Sequence, residues 1–279
     1  MNKEWDIIIE PNAKIFDLRL KEVWKYRDLL FLFVRRDFVS QYKQTILGPI
    51  WYFLQPLMTT ITFTIIFGNI AKISTGGTPH IAFYLAGITF WQYFSDSLNS
   101  TASTFTANQQ IFGKVYFPRL IVPLSIITSG LIKLSIQFLL FIGIVIYYFL
   151  QDMVHPNSYV LLTPLLVFLL AFMALGAGMI FSSLTTKYRD LVFLLTFGVQ
   201  LLMYATPVIY PLSVIPEQYR GLAAFNPIAH IIEALRYAYL GVGSLSIPGL
   251  SYSFCFTFIL FSVGLVIFNK VEKSFMDTV

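Results

Sequence analysis

The sequence predicts an all-α membrane protein: six transmembrane helices, an N-terminal amphipathic interface helix and re-entrant external half-helices. Three observations carry that expectation. Of 279 residues, 57% are hydrophobic and only 12% charged, far from the roughly half-apolar, quarter-charged balance of a soluble domain. Residues 44–71, 156–186, 191–216 and 237–269 contain no Asp, Glu, Lys or Arg, and 120–151 contains Lys133 alone. Lys and Arg also concentrate in the segments that alternate spans would leave on one side.

The chain opens with an expected cytoplasmic segment over 1–47. Residues 14–38 read KIFDLRLKEVWKYRDLLFLFVRRDF, with Phe16, Leu20, Val23, Trp24, Tyr26 and Leu30 near helical spacing among mixed charges. That pattern suits a helix lying among lipid headgroups; a small cytosolic helix packed on the protein itself would read the same way. No short apolar core of a cleavable signal precedes it, so the first span is expected to serve as the insertion signal. Crossing a bilayer takes roughly 20 apolar residues. The spans are expected at about 48–71, 81–112, 121–150, 159–185, 191–211 and 251–270, within one domain over 48–279. Fifteen of the 19 basic residues then fall in the N-terminal segment, the loops after spans two and four, and the tail. Lys72, Arg220 and Arg236 lie opposite, which places both termini in the cytoplasm.

Span two is the polar one. Asp96, Ser97, Asn99, Ser100, Thr101, Ser103 and Thr104 cannot all face lipid. Such residues either join helices by hydrogen bonds or line a hydrated path. Asp96 and Lys133 are charges inside spans, each disfavoured by roughly 2.5–3.5 kcal/mol at a helix centre. They either pair, across an expected difference in depth, or separately face water. Trp91, Tyr93 and Phe94 lie beside that polar face, where aromatic rings could stack on sugars or simply fill the core. The path candidates are therefore Trp91, Tyr93, Phe94, Asp96, Asn99 and Lys133.

The external segment 212–250 is too apolar for a plain loop. Half-helices are expected at 214–222 and 227–240, the second opened by Asn226 as cap and Pro227 in the first turn. Ile228, Ile231, Ile232 and Leu235 form its apolar stripe, with His230, Glu233 and Arg236 on other faces. Asn226, Pro227, Ile231, Glu233 and Arg236 are the gate candidates, and an external cap without gating is the plainer reading. Glu233 and Arg236 could pair locally or hold the segment to a second protomer. Gly241 and Gly243 follow, free to adopt unusual backbone angles.

Catalytic and nucleotide-binding chemistry is missing from the sequence. There is no GxxxxGK[ST] phosphate loop, no HExxH or GxSxG, and a single cysteine, Cys255, in an apolar run. His80, His155 and His230 are scattered. These observations disfavour a membrane-embedded glycosyl- or acyltransferase, and indeed any enzyme.

Four strings, in order, carry a resemblance. They are RRDFVSQYKQTILGPIWYFLQPL (35–57), KVYFPRLIVPL (114–124), YRDL (188–191) and TPVIYPLSVIPEQYRGLAAFNPIAHIIEALRYAYLG (206–241). Together they resemble the permease subunits of ABC exporters that move lipid-linked polysaccharide, of the O-antigen or teichoic acid type, out of the bacterial cytoplasm. The resemblance implies a homodimer in the bacterial inner membrane with two separate ATPase subunits, which use ATP and Mg; this chain itself would bind no cofactor and no nucleic acid. It implies an undecaprenyl-linked polysaccharide as substrate, and membrane lipids around the helices. It also implies a coupling helix over 113–120, giving Lys114, Val115, Tyr116, Phe117, Pro118 and Arg119 as the ATPase contact. Many relatives carry an acidic residue near the position of Lys133, so no role of that acid transfers here. An exporter of teichoic acid, a drug or a small lipid is the alternative within the same class.

Overall fold

The computed structural model describes residues 20–40, 43 and 45–274, and every regular element among them is helical. A short helix, α1 (Leu20–Lys25), turns at Tyr26 into α2 (Arg27–Ser40). The expected interface helix over 14–38 is thus two helices, and its residues 14–19 lie outside the described residues. Phe33 and Val34 of α2 are buried, while Trp24, Phe31 and Leu32 stay well exposed. The segment therefore docks on the protein with one side and offers an apolar surface with the other.

Next comes α3 (Trp51–Phe63), which runs on through a π-helical stretch, Thr64–Ile70. Then follow α4 (His80–Ala102), α5 (Thr104–Ala107), α6 (Gln109–Phe112), α7 (Ile121–Phe149), α8 (Thr163–Thr185), α9 (Leu191–Ala205), α10 (Glu217–Ala224), α11 (Pro227–Leu240) and α12 (Ile247–Ser274). Helix α4 is the hub, in contact with α3, α7, α8, α9 and α11. Its hydroxyl groups explain why: Thr89, Ser97 and Thr101 are all buried, because a helix carrying them on several faces is better surrounded by protein than by lipid. Helix α12 crosses α8 at bare glycine. A Cβ on Gly264 would lie 2.3 Å from the Gly176 carbonyl oxygen, so the backbones approach as closely as small residues permit.

Four segments are long and apolar enough to cross a membrane: Gly48–Ile70, Ile121–Phe149, Ser158–Thr185 and Ile247–Glu272. The protein is thus a helical membrane protein, but two of the six expected spans differ in kind. Helix α4 has 23 residues yet is too polar to join the four. The expected continuous helix over 81–112 also breaks at Ser103 and Asn108. Side chains there compete with the backbone ladder: Ser103 donates to Asn99 O, Thr104 to Thr101 O and Asn108 to Thr104 O. Helix α9 is apolar but has 15 residues, about 22 Å of helix against a hydrocarbon core of about 30 Å. It stops at Ala205 because Pro207 forces Thr206 into an extended conformation, φ −96°, ψ 144°.

The expected coupling helix over 113–120 is absent; these residues form turns and extended chain. Pro118 has no N–H and disfavours helical geometry at Phe117, and Gly113 stands where α6 ends.

Contacts define two ends of the bundle. At the basic end, Phe33 of α2 meets Phe117 at 5.7 Å, Phe105 stacks on Phe268 at 4.7 Å, and the Arg119 N–H donates to Glu272 Oε1 at 3.1 Å. The opposite end gathers α10, α11, the start of α4 and residues 206–211.

Candidate functional site

Three clusters hold the candidate residues. The first is a groove of about 880 Å³ toward the basic end. Asp96, Asn99 and Lys133 line it, joined by Arg36, Asp37 and Tyr52, which no local pattern in the sequence marks. Lys133 donates to the Asp96 carboxylate, and its ammonium sits 5.6 Å from the Tyr52 ring centre. The expected difference in depth between the two charges does not exist. A Cβ on Gly130 would meet Ser97 Oγ at 3.0 Å, and Gln137 Nε2 donates to Gln92 Oε1 at 3.4 Å. In antiparallel helices those contacts set residue 133 level with residue 96. The two charges are level because the register of α4 against α7 is fixed by these packing contacts and not by distance from the span ends.

Trp91, Tyr93 and Phe94 are not groove residues. All three are buried in the core, with Trp91 and Phe94 5.6 Å apart. Periodicity could not reveal this, since α4 is covered on every side but the narrow strip of Asp96, Asn99 and Ser100 that faces the groove.

The second cluster is the stretch 113–120. Lys114, Val115 and Tyr116 are exposed, whereas Phe117, Pro118 and Arg119 are buried. Phe117 lies between Phe33 and Phe112, each ring 5.7 Å away. Arg119 donates to the Glu272 carbonyl and lies 5.5 Å from the Phe112 ring. Burial pulls its guanidinium below its ordinary pKa, opposed by Glu272 and Tyr116. The six expected contact residues therefore divide into an outward knob, 114–116, and an inward root tying α2, α6 and α12 together.

The third cluster is at the opposite end. Asn226 Oδ1 accepts from the Ile228 N–H at 3.0 Å, and its Nδ2 donates to Thr206 Oγ1 at 2.7 Å. Pro227 fills the first turn of α11, and Gly241, at φ +73°, ends it. Glu233 and Arg236 are not on an outer face; with Ile231 they are interior, and α11 is buried almost all round. Arg236 has 0% side-chain exposure and lies 3.7 Å from Glu233. Its guanidinium donates to the carbonyls of Pro207 and Val208, each at 2.5 Å, and stacks 3.6 Å from the Phe83 ring centre. Glu233 accepts from the Leu212 N–H at 3.4 Å. The pair thus holds α4, α11 and the irregular stretch 206–212 as one unit. Gly87 makes room: a Cβ there would come within 2.6 Å of Arg236 Nη2.

An irregular stretch pinned to a buried arginine, a polar groove at the other end and an exposed knob between buried anchors suit a transporter subunit. Residues 28–240 match the ABC-2 type transporter family. The chain belongs to that family. As an ABC-2 type chain it is 31% identical over 251 residues to the O-antigen export system permease protein RfbA of Klebsiella pneumoniae, covering 90% of this chain and 94% of the relative. It is 28% identical over 219 residues to the RfbA protein of Myxococcus xanthus, covering 77% and 81%. The polysialic acid transport protein KpsM of Escherichia coli is 24% identical over 252 residues, covering 90% and 95%. The ABC-2 match spans all three clusters.

Proposed function

We propose that this chain is the permease of an ATP-driven exporter that moves lipid-linked polysaccharide across the bacterial inner membrane. The likeness to O-antigen export permeases over nine-tenths of the chain supports this most directly. In this reading α3, α4, α7, α8, α9 and α12 are six crossings, with the basic end and both termini in the cytoplasm. Helices α10 and α11 then dip into the outer leaflet as an external gate. Two copies form the path, and two separate ATPase subunits bind ATP and Mg.

The knob formed by Lys114, Val115 and Tyr116 is the element an ATPase would seize. Behind it, Phe117 and Arg119 contact α2, α6 and α12, so a displacement of the knob reaches three helices through packed rings and a buried guanidinium. The groove beside Asp96, Asn99 and Lys133 would take the glycan at its cytoplasmic end. The plug at α11 would open by movement of the unit that Arg236 assembles.

The test uses the permease co-expressed with its ATPase and reconstituted in vesicles with a fluorescent lipid-linked oligosaccharide. ATP should move the label to the lumen in the parent. Val115→Ala with Tyr116→Ala should lose most of that transport, as expected when an interface anchor is truncated, while membrane insertion stays normal. Undiminished ATP-driven transport in the double variant would refute the coupling role, and no transport by the parent would refute the export reading.

A further inference from the structure

The groove's charges are already satisfied within the chain. Among the described residues lining it, Arg36 and Lys133 are the cations and Asp37 and Asp96 the anions. Each cation holds one carboxylate and one ring. Arg36 meets Asp37 at 2.8 Å and lies 4.6 Å from the Phe33 ring centre; Lys133 holds Asp96 and faces Tyr52. Each cation's charge is thus already offset within the chain before a ligand arrives.

The neutral groups are partly committed as well. The Ser40, Ser103 and Thr196 hydroxyls donate to the carbonyls of Asp37, Asn99 and Val192, at 3.0, 3.2 and 2.9 Å. The Asn99 and Asn108 amides donate to Ser95 O and Thr104 O, both at 3.0 Å. A hydroxyl has one proton and two lone pairs, and an amide has two N–H groups, so Ser40, Ser103 and Thr196 turn acceptors to the groove while Ser100, Asn99 and Asn108 keep donors. A sugar bearing only hydroxyls, each both donor and acceptor, matches that neutral mixture. A phosphate or carboxylate brings acceptors alone and meets the two fixed carboxylates of Asp37 and Asp96.

We propose that this groove selects uncharged, hydroxyl-rich glycan over polyanionic glycan, and that Asp96 and Asp37 set the preference by neutralising Lys133 and Arg36. The proposal rests on the polysaccharide reading above and deepens it. Specificity of this kind works by making the wrong ligand unfavourable as much as by attracting the right one.

The experiment measures binding of two fluorescent oligosaccharides of equal length, a neutral mannan and a sialic acid oligomer, to the permease–ATPase complex in lipid nanodiscs. The parent should hold the mannan about tenfold more tightly than the sialic acid oligomer, the scale expected when two partly hydrated carboxylates face the anion. Asp96→Asn should erase most of that gap by freeing Lys133. Should that variant not assemble, Asp37→Asn on the exposed helix α2 frees Arg36 and should shift the preference the same way. Equal binding of both oligosaccharides by the parent, or an unchanged preference in the assembled Asp variant, would overturn the proposal. Binding of neither by a complex that still hydrolyses ATP would instead overturn the polysaccharide reading beneath it.

Discussion

Two cations of the helical bundle, Arg236 and Lys133, are held in opposite ways. Arg236 at the α11 end has 0% side-chain exposure and five partners: three backbone carbonyls, one carboxylate and one ring. Lys133 has 20% side-chain exposure and its partner Asp96 52%, both open to the groove. A buried charge is tolerable only when surrounding groups replace its water, and removing one member of such a set leaves the others stranded. A pair that keeps its water gains little from the contact and loses little without it. The closed network therefore belongs to the architecture, and the open pair is available for function.

The largest expected effect breaks the closed side of this contrast. Arg236→Met should destabilise the protein by about 3–5 kcal/mol, read as a lowered unfolding temperature and poor recovery in detergent. Exchanging the charges, with Glu233→Arg and Arg236→Glu together, should not rescue it, because a carboxylate at 236 would face the carbonyls of Pro207 and Val208. Recovery by the exchange would show that the ion pair alone matters and the carbonyl contacts do not.

A smaller effect sharpens the geometry. Gly87→Ala puts a methyl within 2.6 Å of Arg236 Nη2 and 2.8 Å of Val208 O, and forcing a group into a filled site typically costs about 1–3 kcal/mol. Combined with Arg236→Met, the two changes should fall short of additive, since the shorter side chain relieves part of the clash. Strict additivity in a double-mutant cycle of unfolding measurements would mean that Gly87 serves something other than Arg236.

The smallest effect is on the open side. Lys133→Met should change stability by no more than about 1 kcal/mol, as for other hydrated pairs, in the same unfolding measurement. A loss as large as that from Arg236→Met would erase the contrast and make Lys133 a structural residue.

The difference between the two cations also marks where sequence reading succeeds. The apolar runs around 48–71, 121–150, 159–185 and 251–270 were legible because lipid imposes a uniform demand on every residue of a span. The α11 start was legible because Asn226 and Pro227 satisfy a purely local requirement, a capped first turn. Glu233 and Arg236, by contrast, look like surface residues on any helical projection. Only the close approach of α4 and the 206–212 stretch encloses them. Likewise, a helix is expected over 113–120 where Pro118 and its neighbours form none, and nothing in that stretch says that Phe117 points inward while Tyr116 points out.

The sequence by itself determined the class of the protein, its longest membrane helices, the basic end and the ABC-2 likeness, since composition, periodicity and charge position are all local properties. The tertiary structure alone decided that residue 133 stands level with residue 96, that Trp91, Tyr93 and Phe94 are core, and that Arg36 and Tyr52 border the groove. Those outcomes depend on helix register and on which faces meet. Register is set by contacts between residues far apart in the chain, such as Gly130 with Ser97 and Gly264 with Gly176, and no window along the sequence contains both members of such a pair.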